Sequence, residues 1–135
     1  MASKAIVLED LGKLLLRVSL GVLILFHGVD KMLHGAGFVT GMVGQLGLPQ
    51  DLGYLVYVGE VLAPLLLILG LWTRPAALVV AINMLVAVWL VHMKELLTTG
   101  PGGGWALELQ AMYLIVALAV ALFGGGRFAV GGRWN

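Results

Sequence analysis

The sequence predicts an all-α integral membrane protein, a four-helix bundle, and three observations carry that prediction. Of 135 residues, 61% are hydrophobic and 11% charged, with a mean hydropathy of +1.04, whereas soluble domains average roughly 45–50% apolar and about 25% charged. Four apolar segments stand out, each with about the 20 residues needed to cross a hydrocarbon core roughly 30 Å thick. Strand-like alternation and repeats of roughly 20–50 residues are both absent, so helices are favoured over a barrel.

The segments lie near 12–30, 53–72, 75–93 and 105–123 and are read as a single transmembrane domain over 1–135. The first is taken as a retained helix, because Lys4 is followed by Glu9 and Asp10 and no small-residue cleavage pattern closes the apolar run. In the long first connection, "GFVTGMVGQLGLP" spaces Phe38, Met42 and Leu46 four residues apart. That spacing suits a short interfacial or re-entrant helix, and equally a plain loop. "GLWTRPAAL" predicts a very tight turn with Arg74 at its corner and Pro75 at the first helical position. "TTGPGGGW" predicts a flexible turn before the last segment.

Composition also excludes whole classes of function. With no cysteine, disulfides, iron–sulfur clusters, thiolate metal sites and dithiol relays all fall away, and no dedicated metal site is expected. A net charge of +1 offers no basic field for nucleic acid. Lysine and arginine sort the two sides of a lipid bilayer: Lys4, Lys13, Arg74, Arg127 and Arg133 share one, while Lys31 and Lys94 hold the other. The positive-inside rule then places both termini in the cytoplasm, and all three histidines, His27, His34 and His92, toward the extracytoplasmic surface.

An ionisable side chain inside a span costs about 3 kcal/mol or more unless it is paired, so Arg17, His27, Glu60, Asn83, His92, Glu108 and Gln110 are the polar candidates. Each is either a site residue or part of a polar seam holding the helices together. Arg17, Gly21, Gly28 and Lys31 fall within about 40° of one stripe, and its two glycines predict a close-approach face turned into the bundle. His27 and Lys31 are one turn apart on that helix. Arg17 is expected to be buried and paired. Pro64 removes the hydrogen bond to the carbonyl four residues back, which belongs to Glu60. Carboxyl and freed carbonyl then share one depth, a spot for a proton, a cation or a donor such as Arg17. Glu108, in a helix first turn, has a sufficient structural reason in the macrodipole. Asn83 is read as an interhelical hydrogen bonder, on the opposite face of its helix from His92.

The ordered set "LFHGVDK", "VGEVLAPLLLILGLWTR", "AALVVAINMLVAVWLVH" and "ELQAMYLIVALAVALFGGGR" resembles the DoxX family, small four-helix membrane proteins related to the DoxD subunit of thiosulfate:quinone oxidoreductases. The family often closes on a Gly-Pro-Gly-Arg-Tyr-Ser-like segment, where this chain reads "GGGRFAVGGRWN". The resemblance implies a protein of respiratory or redox metabolism in the bacterial cytoplasmic (inner) membrane. It implies polar positions at His27, Gly28, Lys31, Glu60, Arg74, His92 and Glu108.

Three functions compete. A quinone-interacting redox subunit needs donors to two carbonyls and proton carriers in an apolar cleft. His27 or His92 would donate, Glu60 or Glu108 would relay protons, and Lys31 and Gln110 would help bind. Electrons would come from an extracytoplasmic or membrane redox partner. Alternatively, His27 and His92 ligate a haem or metal. A non-enzymatic transporter, scaffold or assembly subunit is the third, with small residues at Ala77, Ala81, Ala117 and Ala121 offering packing faces for helices or for a homodimer.

Overall fold

The computed structural model describes residues 2–132 and 134–135, so Arg133, one of the charges used above for orientation, lies outside the described residues. The α-helices are α1 (Ala2–His34), α2 (Gly37–Gln45), α3 (Ala63–Leu69), α4 (Thr73–Ala87) and α5 (Glu108–Phe123). Shorter turns extend two of them. A 3-10 turn (Gln50–Leu55) and a π turn (Val58–Leu62) lead into α3, while a π turn (Val88–His92) and a 3-10 turn (Met93–Glu95) continue α4. Among the described residues, three stretches are long and apolar enough to cross a membrane: Ser3–His34, Gln50–Leu69 and Thr73–Glu95. The apolar α5 is shorter, at 16 residues. Large side chains such as Leu15, Phe26, Ile82 and Leu122 stay exposed on these helices, as a lipid-facing surface requires. The protein is an all-α integral membrane protein.

Two connections decide questions that periodicity left open. The stretch after α1 is helical from Gly37 to Gln45, so the loop alternative is set aside. The turn over "TTGPGGGW" is closed by hydrogen bonds: Thr99 pairs with Trp105, Gly100 N–H donates to Gly104 O at 2.7 Å, and Ala106 N–H donates to Thr98 O at 3.1 Å. Helix α1 also begins about ten residues earlier than its apolar run. Residues 2–11 contain no proline or glycine, and Asp10 anchors them to the chain's last segment. Its carboxylate lies 3.1 Å from Arg127 Nε and accepts the Arg127 N–H at 3.3 Å. Between α3 and α4 the turn is as tight as expected, with Gly70 in the left-handed region at φ +76°. Helix α4 starts at Thr73, which moves Pro75 to the third helical position. The position still suits it, since no intrahelical acceptor waits for its missing N–H.

The predicted stripe on α1 faces the Gln50–Leu69 stretch along its whole length. A Cβ at Gly21 would lie 2.8 Å from the Pro64 carbonyl oxygen, and one at Gly28 would overlap the Glu60 carbonyl oxygen. Hydrogen alone fits there. Between lipid-immersed helices the hydrophobic effect supplies no attraction, so this backbone contact supplies dispersion instead. The core continues through Leu20 and Ile24 of α1, Leu67 of α3, Ala77 and Val80 of α4, and Ala117 and Val120 of α5. The alanine faces at Ala77, Ala81 and Ala117 are therefore used within the chain.

At the end of the bundle holding residues 10–17, two arginines cap helices. Buried Arg17 (1% exposed) donates to Leu67 O and Ile68 O at 2.9 Å, Phe128 O at 2.8 Å and Gly125 O at 3.2 Å. Arg74 donates to Ala121 O at 2.9 Å and Leu122 O at 2.7 Å. Both meet the last-turn carbonyls of a helix, where orphan acceptors and the negative end of the macrodipole favour a cation. Thr73 Oγ1 donates to Asn135 Oδ1 at 2.6 Å beside them.

Gly28→Val should overpack the seam and cost about 1–3 kcal/mol, read as a lower unfolding temperature in detergent. Arg17→Met should cost about 3 kcal/mol or more, because several buried carbonyls lose a charged donor. Arg17→Lys should recover only part of that in the same measurement, since an ammonium lacks the planar fork.

Candidate functional site

At the opposite end of the bundle, Glu60 sits in the π turn Val58–Leu62, where Ala63 N–H bonds five residues back to Val58 O. Pro64 explains the widening: lacking an N–H, it cannot bond the Glu60 carbonyl, so the regular ladder is already interrupted. That carbonyl is the one Gly28 packs against. The close approach brings Lys31, one turn further along α1, to the carboxyl group. Lys31 Nζ donates to Glu60 Oε2 at 2.6 Å, with Glu60 only 6% exposed. From α4, Asn83 Nδ2 donates to Glu60 Oε1 at 3.3 Å. Gly59 makes room for it, because a Cβ there would lie 2.5 Å from the Asn83 side chain. The Tyr57 hydroxyl donates to the Lys31 carbonyl at 2.9 Å and holds that turn of α1 in place.

Lys31, Glu60 and Asn83 line a cleft of about 510 Å³ whose other walls are mainly apolar. Phe38 and Met42 of α2 form one side, Leu52 and Leu55 another, and Ile82 and Trp89 a third. Thr40 of α2 rests on Gly53, where a Cβ would lie 2.7 Å from the Thr40 Cα. The segment read as an interfacial helix or loop is thus a wall of the cleft. The volume lies within the roughly 300–1,000 Å³ range of small-molecule sites, and the lining matches their usual chemistry of apolar walls with a few convergent polar groups.

Of the sequence candidates, the structure brings Lys31 and Glu60 together in the cleft and sets His92 beside Gln110 outside it, and Lys31 rather than Arg17 is the cation beside Glu60. The other candidates face elsewhere. His27 is exposed on α1, edge-on to Tyr113 of α5 with ring centroids 6.2 Å apart. His92 falls in the second π turn and points to α5, its Nε2 lying 3.4 Å from Gln110 Nε2. Its Nδ1 is 3.4 Å from Glu95 Oε2 but is not aligned for a hydrogen bond, and Gln110 Oε1 is also buried without a hydrogen-bond partner among the described residues. Glu108 is exposed and turned onto Gly104. His34 bonds within its own turn, 3.0 Å from Asp30 Oδ1. Arg17 and Arg74 belong to the capped end. Asn83, read from the sequence as an interhelical hydrogen bonder, makes such a bond to Glu60 and also lines the cleft, whereas Trp89 is a cleft residue that sequence reasoning did not place at a site. Asn83 carried a signal as a mid-span amide beside Gly59–Glu60 in depth; Trp89 read as one more apolar residue.

The family model described as DoxX matches residues 12–93. The chain is 30% identical over 115 residues to the provisionally named oxidoreductase CatD of Bacillus subtilis (strain 168), covering 85% of this chain and 81% of that protein. It is also 30% identical over 122 residues to an uncharacterised protein of Haemophilus influenzae, covering 88% and 87% of the two chains. No solved structure gives a significant match.

Lys31→Met should leave Glu60 as an uncompensated buried charge and cost about 3–5 kcal/mol. The double variant Lys31→Met/Glu60→Gln should recover most of that loss. A double-mutant cycle on unfolding in detergent checks both, and additive losses would contradict the pairing.

Proposed function

The chain belongs to the DoxX family, and from that premise we propose that it is a quinone-interacting redox subunit spanning the bacterial cytoplasmic membrane four times, with both termini in the cytoplasm. One observation carries the reading: a Lys31–Glu60 ion pair, with Asn83 on its second oxygen, set into the wall of an otherwise apolar cleft. The oxidoreductase name of the Bacillus subtilis relative agrees with it. So do the bacterial sources of both relatives.

Topology has its own support. The Asp10–Arg127 contact joins α1 near its first residues to the segment after α5 at one end of the bundle, which supports an even number of crossings. With three long spans, α5 is then the fourth. Lys13 and Arg127 lie beside Asp10 at that end and Arg74 caps α5 there, which makes it the cytoplasmic end under the positive-inside rule. The cleft accordingly lies in the extracytoplasmic half.

A quinone head fits the donor set, since its two carbonyl oxygens need donors and its ring and tail need apolar walls. Lys31 and Asn83 would hold the oxygens. When bound, a quinone supplies two-electron, two-proton chemistry, and a partner protein would deliver the electrons. Glu60 holds and passes a proton at Oε2, 2.6 Å from Lys31 Nζ. Asn83 keeps the carboxylate turned toward that nitrogen, and the apolar walls exclude water from it. The donor role thus moves from histidine to lysine.

Trp89 lines the cleft and serves as its reporter. Decylubiquinone added to protein in detergent should quench tryptophan emission saturably, with the saturable part lost in Trp89→Phe. In Lys31→Met/Glu60→Gln the affinity should fall about tenfold, the weight of one charge-assisted hydrogen bond. Linear quenching that is the same in every variant would mean partitioning into the micelle and would overturn the reading.

A further inference from the structure

The chain has four lysines, and Lys31 is the one that lines the cleft. Its amine is an unusual object in such a place. It is a nucleophile with a proton acceptor already at 2.6 Å, on a side chain 23% exposed, beside a carboxyl only 8% exposed. Catalytic lysines that form Schiff bases are built from these parts: an amine held in apolar surroundings and a neighbouring group to take its proton. We propose that the cleft captures apolar aldehydes from the lipid phase as a Schiff base on Lys31, with Glu60 as proton carrier and counter-ion.

The chemistry closes without an oxidant or reductant. Lys31 gives one ammonium proton to Glu60, and the freed amine adds to the aldehyde carbon to form a carbinolamine. Protons returned through Glu60 convert its hydroxyl into a leaving water, and the C=N bond forms. In sum, an aldehyde and a lysine ammonium become a protonated imine and water, while Glu60 ends as the carboxylate it was at the start. One cation replaces another beside Glu60, so the number of ions in the apolar site is unchanged and no new charge is desolvated. Asn83 on Oε1 keeps Oε2 directed at the nitrogen in both states. Phe38, Met42, Leu52 and Trp89 would enclose the hydrocarbon chain, and their exclusion of water slows hydrolysis of the product. This proposal rests on the geometry of the cleft and needs no quinone chemistry.

The test uses the full chain in nanodiscs, with decanal as a saturated apolar probe and cyanoborohydride to reduce the imine, read by peptide mass spectrometry at each lysine. Lys31 should be labelled about tenfold faster than exposed Lys94. Acetaldehyde, with no chain for the walls to hold, should show far less preference. Glu60→Gln should slow Lys31 labelling by about 100-fold while Lys94 labelling stays constant, and Glu60→Asp should restore part of the rate, which separates proton transfer from misfolding. Labelling of Lys31 no faster than Lys94 in the unaltered protein overturns the proposal, as does an unchanged rate in Glu60→Gln. Trp89 quenching by decylubiquinone is measured on the same sample. Quenching without Lys31 labelling removes the aldehyde proposal and leaves the quinone reading standing, whereas labelling without quenching does the reverse.

Discussion

The contact between Gly28 and the Glu60 carbonyl is the constraint on which the rest of this structure depends. It sets the distance between α1 and the Gln50–Leu69 stretch at a value that only a missing side chain permits. Once the backbones are that close, the polar ends of the stripe find their partners without reaching. Arg17 meets the end of α3, and Lys31 meets Glu60. In lipid, helices gain nothing by hiding apolar surface from one another, so small residues and buried polar bonds must supply the attraction. The stripe provides both.

The two ends of the bundle handle charge differently. At one end, Arg17 and Arg74 spend their donors on backbone carbonyls that no helix can satisfy internally, which makes them structural cations. Asp10 and Arg127 tie that end together from the outside of the sequence. At the other end, a charged pair is set into an apolar cleft with room beside it. There the ionic contact closes one side of each group only, and Lys31 and Glu60 still line open space. Cations spent on helix-end carbonyls hold a fold; a charged pair with space in front of it is available for chemistry.

Both π turns carry an ionisable residue of the cleft's end of the molecule, Glu60 in one and His92 in the other. Wider turns of this type recur at functional positions because they re-aim side chains that a regular helix would direct elsewhere. The first has a cause in sequence, Pro64. The second also delivers Trp89 to the cleft wall while sending His92 to α5, a division that regular helical geometry does not forecast from spacing.

Sequence alone determined a good deal of this protein. Hydropathy and length mark the apolar helical stretches, because a bilayer demands runs of about 20 residues. The period of a helix put Arg17, Gly21, Gly28 and Lys31 on one face, and the chemistry of proline marked the carbonyl of Glu60. What the tertiary structure decided was pairing. The sequence offered Arg17 as a donor at the Glu60 carboxyl and left the partners of Lys31, His27 and His92 open, because spacing along one helix says nothing about which neighbour lies across from it. The approach at Gly28 selected Lys31, and the packing of α5 drew His27 and His92 away to Tyr113 and Gln110. Nor could periodicity show that α2 folds back over the cleft, since that position depends on Thr40 resting against Gly53, a contact between backbones that leaves no pattern in either segment. Local sequence fixes which faces exist; only the close contact of faces decides which groups meet.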